Sequence, residues 1–186
     1  MPDARQSRFT ISDVFWQALK AIDLEPAMVL RQARLPGTLN LHAHRERRQV
    51  STEEFFRLWE AVATLNANPA AAILMVTQLD SATLPPSSFV AFIARDFRDG
   101  LHRLARFKQL CTLERLQVTE TGTTCTVTID WLRTQAPPPA LLIDAAFATF
   151  VELGRRGSRV HIIPRRVELA RPYSGDNALA DFYGCT

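Results

Sequence analysis

Apolar residues recur at helical spacing through the first half of the chain and at every second residue only later. The first helical stripe follows two candidate N-caps, Thr10 and Ser12, and ends near Asp23. Pro26 then predicts the start of a second helix, because proline suits the first helical position, and Pro36-Gly37 end it. The pattern therefore indicates two short helices before any other element.

A third helix has the clearest start signal of the chain. In Ser51-Thr52-Glu53-Glu54 the side chains of Ser51 and Glu54 can each accept a hydrogen bond from the other's backbone, which is a capping box. One apolar stripe then continues from Phe55 to Leu65. Residues 66–69 stop this helix and start a fourth, whose apolar sequence predicts burial on most sides.

Two more helices and one connector complete this half. Residues 38–50 are predicted to be an extended connector. Pro85-Pro86 indicate the start of the fifth helix. The sixth is predicted to present an inner face made of Leu101, Leu104, Phe107 and Leu110.

The period changes to two in the second half of the chain, which predicts a β-hairpin over about 115–131. Thr121-Gly122 form its turn, after a first strand with Leu116 and Val118. On the second strand one face is predicted to hold Cys125, Val127, Ile129 and Trp131, while threonines and Asp130 face water.

Beyond the hairpin the pattern predicts one helix and one more strand. Residues 141–153 are expected to be helical, with Gly154 closing the helix. The segment of about 165–170 is predicted to be a third strand, with Val167 and Leu169 facing inward.

The last helix is predicted to begin at Asp176 and to bury Leu179 and Phe182. Because helices come first and strands later, we predict an α+β fold. Its helix-rich N-terminal half packs on a small antiparallel sheet, formed by the hairpin of about 115–131 and the strand of about 165–170, with a C-terminal helix. We expect a single domain over 1–186.

Length, hydropathy and charge restrict the class of protein. The chain has 186 residues, of which 47% are hydrophobic, and this suffices for one domain with its own core. The apolar run 70–76 is too short to cross a bilayer, and the polar N-terminus lacks a signal peptide, so we expect a cytoplasmic protein with no membrane partner. The net charge of +3 is too small and scattered to indicate a nucleic-acid surface.

No motif for catalysis or for a cofactor is present. The glycine-rich nucleotide-binding motifs, the nucleophile elbow and the zinc-protease motif are all absent. The three cysteines are widely spaced, and His42 and His44 lack a nearby third ligand, so we predict no metal site. We therefore expect no enzymatic activity and no cofactor. A compact body with 11 phenylalanines can instead enclose an apolar pocket with a few polar anchors.

Several stretches of the chain together resemble one protein family. The stretches are 51–61 (Ser-Thr-Glu-Glu-Phe-Phe-x-Leu-Trp-x-Ala), 68–70, 94–101 (Ala-Arg-Asp-Phe-Arg-Asp-Gly-Leu) with 106–110, 164–172 and 182–185. They resemble the N-terminal arabinose-binding-type effector domain of AraC-type transcriptional regulators, in the class related to ornithine regulators. The resemblance implies a domain that binds a small-molecule effector and controls DNA binding.

In that family two helix-turn-helix units that read DNA follow this domain. The chain carries no basic, exposed recognition helix, so the resemblance implies that DNA is contacted only through an absent C-terminal domain. The chain is then either an excised sensor domain, which we favour, or a natural one-domain relative. An alternative function is a protein-interaction or dimerisation module, such as a homodimer, with no ligand. An enzyme ranks third.

We expect the effector between the apolar face of the sheet and the helices, where long aromatic side chains converge. An arginine would be the polar anchor for an acidic ligand. The alternative is that every aromatic residue is plain core and every arginine a surface pair. The predicted ligand-binding residues are the walls Trp59, Phe92, Phe107, Trp131 and Phe150, with Arg95 or Arg106 as the anchor.

The final helix also carries a functional hypothesis. If Leu179 and Phe182 dock it on the core, its position sets where the chain leaves for the DNA-binding half. A ligand that changed this packing would then transmit a signal. The alternative is that the helix only covers the core.

Overall fold

The computed structural model describes residues 8–40, 49–80, 84–111, 114–132, 136–172 and 175–185. These residues form an α+β fold with eight α-helices and two antiparallel pairs of strands. The strands are β1 (Arg8–Thr10), β2 (Gln49–Ser51), β3 (Glu114–Thr121) and β4 (Thr124–Trp131). The helices are α1 (Asp13–Lys20), α2 (Pro26–Gln32), α3 (Thr52–Leu65), α4 (Ala71–Thr77), α5 (Pro86–Phe92), α6 (Phe97–Cys111), α7 (Ala140–Ser158) and α8 (Ala178–Tyr183).

The start signals predicted for α1, α2 and α3 are confirmed. Ser12 caps α1 and accepts a hydrogen bond from the backbone N–H of Val14 at 3.3 Å, and Pro26 occupies the first turn of α2. At α3 the Ser51 N–H donates to the Glu54 carboxylate at 2.8 Å, and the Glu54 N–H donates to the Ser51 hydroxyl at 3.2 Å. These starts follow from sequence because each partner lies within a few residues of the cap.

The connector is only partly described. Residues 41–48, which include His42 and His44, lie outside the described residues. On the near side α2 ends at Gln32, earlier than predicted, and residues 37–40 form a short 3₁₀ helix instead of an extended chain. On the far side the chain becomes β2, which pairs with β1.

The predicted hairpin is confirmed, with Glu114 opposite Trp131 and Thr121 opposite Thr124. Gly122 supplies the positive φ of +59° that the turn requires. Val127 and Ile129 pack against a buried cluster that contains Leu116. One face of the hairpin is therefore half-buried and the other is wet, as the alternation indicates.

The third strand predicted at about 165–170 is wrong, because this segment pairs with no strand among the described residues. Val167 and Leu169 instead pack against the buried cluster of Val151, Leu179 and Tyr183. Helices α7 and α8 cover the apolar surface of these two residues, so pairing with an edge strand of the hairpin is not needed to bury it.

The predicted end of α7 at Gly154 is also wrong, since the helix continues to Ser158 and ends at Arg159, which has a φ of +56°. Gly154 allows a close approach instead. A Cβ atom there would lie 2.7 Å from a ring carbon of Phe97 and 2.9 Å from a methyl carbon of Ile162. The last helix begins at Ala178, two residues later than predicted.

Helix α7 contributes to all three buried clusters. Leu142 belongs to the largest cluster, which is built mainly from α1 to α4, and Phe150 packs with Leu104 of α6 and the hairpin. Val151 packs with Leu179 of α8. Among the described residues, helix α7 is thus the one element that contributes residues to each of these three clusters. In the described part of the chain, no helix is long and apolar enough to cross a membrane.

Candidate functional site

A cavity of about 290 Å³ lies between α7 and the helices around it. Residues from α1, α3, α4, α5, α6, both strands of the β3–β4 hairpin and α7 all contribute to its wall. Most of the wall is apolar. Its larger apolar side chains are Ile11, Val14, Phe15, Phe55, Trp59, Met75, Val76, Leu79, Leu84, Phe92, Leu104, Trp131, Leu142 and Leu153.

Three aromatic rings from α1 and α3 form a continuous part of this wall. The ring of Trp59 meets Phe15 edge-on, with 5.4 Å between centres, and Phe55 edge-on at 6.1 Å. Such contacts hold large rings in fixed orientations. The indole N–H of Trp59 is buried and has no hydrogen-bond partner among the described residues.

One face of α7 forms the longest side of the cavity. Its lining residues recur every three or four positions between Leu142 and Arg156, which is the spacing of a single helical stripe. At about 1.5 Å per residue this stripe is about 21 Å long. The complete set on α7 is Leu142, Ala145, Ala146, Thr149, Glu152, Leu153 and Arg156.

The charged side chains of the wall form two internal ion pairs. Lys108 of α6 donates to the buried carboxylate of Glu114 at the start of β3. Arg156 of α7 donates through Nε to Glu152 at 2.6 Å, one turn earlier on the same helix. Each cation therefore has an acid beside it.

Arg156 also links α7 to the end of α4. Its guanidinium donates to the carbonyl oxygens of Thr77 and Leu79, each at 2.6 Å. Carbonyl groups at the C-terminal end of a helix have no partner within the helix, and a cation there is favoured by the helix dipole. Arg156 thus joins α7 to the end of α4 at the cavity wall.

Hydroxyl groups supply the remaining polarity. Thr52 and Ser88 are both only 4% exposed. Thr149 donates to the carbonyl oxygen of Ala145 at 2.7 Å, which leaves its own oxygen able to accept a hydrogen bond. No group of three or more His, Cys, Asp or Glu residues suited to a metal ion occurs in the described ranges.

The chain matches one family model, described as the arabinose-binding domain of AraC transcription regulator, N-term, over residues 24–186. The chain belongs to this family. No curated protein matches it. The match to the AraC-type arabinose-binding domain includes α2 to α8 but not α1, so the cavity wall contributed by Ile11, Val14 and Phe15 lies outside the matched range.

In this arabinose-binding-type domain, three of the predicted ligand-binding residues lie together in the cavity wall. They are Trp59, Phe92 and Trp131, from α3, α5 and β4. Their positions agree with a site between the helices and the hairpin. Their role in binding stays a prediction.

The other four predicted residues do not line the cavity. Phe150 faces the cluster between α6 and the hairpin and contacts Phe147 with 5.9 Å between ring centres, and Phe107 is half-buried elsewhere on α6. Arg106 is exposed. The side chain of Arg95 is 85% exposed and lies 3.8 Å from the carboxylate of Asp99. Neither arginine is in a position to contact a molecule inside the cavity.

Sequence reasoning missed the charged residues of the wall. The pair Glu152 and Arg156 has the i, i+4 spacing of a helical ion pair, so this ion pair could have been predicted from the sequence. The pair Lys108 and Glu114 joins a helix to a strand, and only the fold brings these two side chains together. Phe15 and Phe55 were recognised as apolar helix positions but carry no separate signal for a cavity.

Proposed function

We propose that this domain is the effector-binding unit of an AraC-type transcription regulator and that the effector occupies the cavity along α7. The observation that carries the proposal is this cavity, lined by residues of six helices and the β3–β4 hairpin, in a chain that belongs to a family named for ligand binding. Binding to DNA is then the task of helix-turn-helix units of the regulator, which lie outside this domain.

The contacts of α7 supply a route from the cavity to the C-terminal helix. Arg156 faces the cavity and α4, whereas its neighbour Arg155 donates to the carbonyl oxygens of Ile162 at 3.0 Å and Phe182 at 2.8 Å. The Arg155 guanidinium also lies 4.6 Å from the centre of the Phe182 ring. A ligand that changed the packing of this end of α7 would act on both sets of contacts.

Docking of α8 differs in detail from the sequence prediction. Leu179 and Tyr183 are its buried residues, while Phe182 is half-buried beneath Arg155. In the proposed function, binding of the effector in the cavity changes the packing of α8 through the contacts of Arg155. The prediction is that a bound effector changes the hydrogen-exchange rates of the α8 amides.

The direct test is a thermal-shift screen of this domain with pentoses, amino acids, fatty acids and fatty acid methyl esters. A ligand at about 100 times its Kd stabilises the folded state by about 2.7 kcal/mol, which corresponds to a rise in Tm of about 5–10 °C. Ala146→Phe places a ring in the cavity wall and should abolish the shift. Ala140→Phe makes the same change on an exposed position of α7 outside the cavity and should keep it.

Two outcomes contradict the proposal. If no compound class raises the Tm, the domain has no effector site and the interaction-module alternative is favoured. If a compound stabilises Ala146→Phe as much as Ala140→Phe, its site is not this cavity.

A further inference from the structure

We infer that the effector is an uncharged, elongated and mainly apolar molecule. The inference rests on the proposed function, because it names the chemical class that the same cavity selects. Three properties of the wall carry it: length, apolarity and neutralised charge.

The length of the wall favours a chain over a compact ring. The lining stripe on α7 extends for about 21 Å, between Leu142 and Arg156, which is about four helical turns. The cavity therefore follows α7 instead of meeting it at one point. An extended aliphatic chain can make close contacts along that length.

The apolar wall disfavours a sugar. Every hydroxyl of a pentose that leaves water needs a new partner, and an unsatisfied buried hydroxyl is costly. Rings such as Phe15, Phe55 and Phe92 offer no hydrogen bonds, and they occupy much of the wall. An aliphatic chain, in contrast, gains affinity from every methylene that it removes from water.

The ion pairs disfavour a ligand with a net charge. Glu114 neutralises Lys108, and Glu152 neutralises Arg156, which also binds the carbonyl groups at the end of α4. A carboxylate that entered the cavity would have to compete with Glu114 or Glu152 for a cation that is already paired. Burial of one further charge in these surroundings is unfavourable.

An ester of an aliphatic chain combines these properties, because it is mainly apolar and carries no charge.

The test compares matched ligands by isothermal titration calorimetry on this domain at pH 8. The probes are fatty acid methyl esters of increasing length, the free acids of the same length, and L-arabinose. We expect each added methylene to tighten ester binding by about fourfold until the cavity is filled. We expect each ester to bind at least about tenfold more tightly than its free acid, which is ionised at this pH.

Different failures have different meanings. If arabinose or the free acids bind more tightly than the esters, and Ala146→Phe abolishes that binding, the effector-binding function stands and the inferred ligand class is wrong. If an ester of cyclohexanecarboxylic acid binds more tightly than the linear ester with the same number of carbons, the inferred elongated shape is wrong. If none of these ligands binds but an amino acid in the thermal-shift screen does, the proposed function stands and the inferred ligand class is wrong. If no compound class in that screen binds either, both fail.

Discussion

The helical core around α1 to α4 and the C-terminal segment after α7 are held together by different forces. In the helical core, Leu19, Val29, Leu58 and Val62 are completely buried within one large apolar cluster. Among the described residues of the C-terminal segment only Leu179 and Tyr183 are buried, and arginine side chains supply the main polar anchors. Burial of many apolar groups is cooperative, whereas a few directional contacts can open without the rest.

This difference suits the proposed function. A sensor needs one part that keeps the cavity in shape and one part that can respond at low cost in free energy. The segment that contains α8 is attached through the small apolar cluster of Val151, Leu179 and Tyr183, through Arg155, and through the pair of Arg171 and Asp144, whose atoms are 2.6 Å apart. It is therefore the region that a modest change in packing can shift.

The largest effect is expected from Leu58→Ala in the helical core. Removal of a fully buried leucine side chain should lower the free energy of unfolding by about 2–5 kcal/mol, because apolar contacts are lost and a cavity is left. Urea denaturation followed by circular dichroism measures this change. Met28→Ala, at an exposed position of α2, should change it by less than about 0.5 kcal/mol.

A loss below about 1 kcal/mol in Leu58→Ala, or an equal loss in Met28→Ala, would mean that the cluster does not dominate global stability. The contrast between the two regions would then be wrong.

An intermediate and local effect is expected from Arg155→Ala. The variant loses two hydrogen bonds to backbone carbonyls and the contact with the Phe182 ring. Charge-assisted hydrogen bonds are each worth about 1.5–3 kcal/mol when they are protected from water, so hydrogen exchange in α8 should accelerate by roughly tenfold or more. Exchange in α3 should change little, because α3 lies in the other region.

The matched control is Arg106→Ala, at an exposed position of α6. Hydrogen exchange resolved by mass spectrometry compares the two variants peptide by peptide. Equal acceleration in α3 and α8 of Arg155→Ala would contradict the local attachment of α8.

The smallest effect concerns Asp144 and pH. Burial raises the pKa of this carboxyl above its ordinary value of 3.8, and the hydrogen bond from Arg171 offsets only part of that rise. The folded state then holds its proton at a pH where the unfolded state has lost it. The contribution of Asp144 to stability is therefore complete below about pH 3.8 and is lost as the pH rises through the folded pKa.

Asp144→Asn removes this titration and keeps an oxygen that can accept the hydrogen bond from Arg171. The stability of the original domain relative to the variant should fall between pH 4 and pH 7, by less than about 1 kcal/mol. Urea denaturation at several pH values measures it. A relative stability that rises with pH would mean that the ion pair outweighs burial.

Sequence alone predicted those features whose partners lie close together in the chain. The capping box of Ser51 and Glu54, the cap at Ser12 and the turn at Gly122 all involve groups within a few residues of each other. The alternation from Cys125 to Trp131 likewise predicted which face of the hairpin is buried. Local geometry and a period of two suffice for these features.

Sequence also predicted three residues of the cavity wall but none of its polar groups. Trp59, Phe92 and Trp131 were chosen as long aromatic residues on apolar faces, and they do line the cavity. Arg95 and Arg106 were chosen because they are basic. The position of a residue in the sequence of a helix does not by itself say whether its side chain points into a cavity or into solvent. Both lie outside the cavity wall.

Tertiary structure decided the rest, because the deciding contacts join residues that are distant in sequence. Arg156 donates hydrogen bonds to the carbonyl oxygens of Thr77 and Leu79. At Gly154 the absence of a side chain leaves room for a ring and a methyl group from other segments. Val167 carries the pattern of a strand, yet α8 covers its surface and no strand forms. The sequence thus determined where helices start and which faces are apolar, whereas long-range packing decided what those faces enclose.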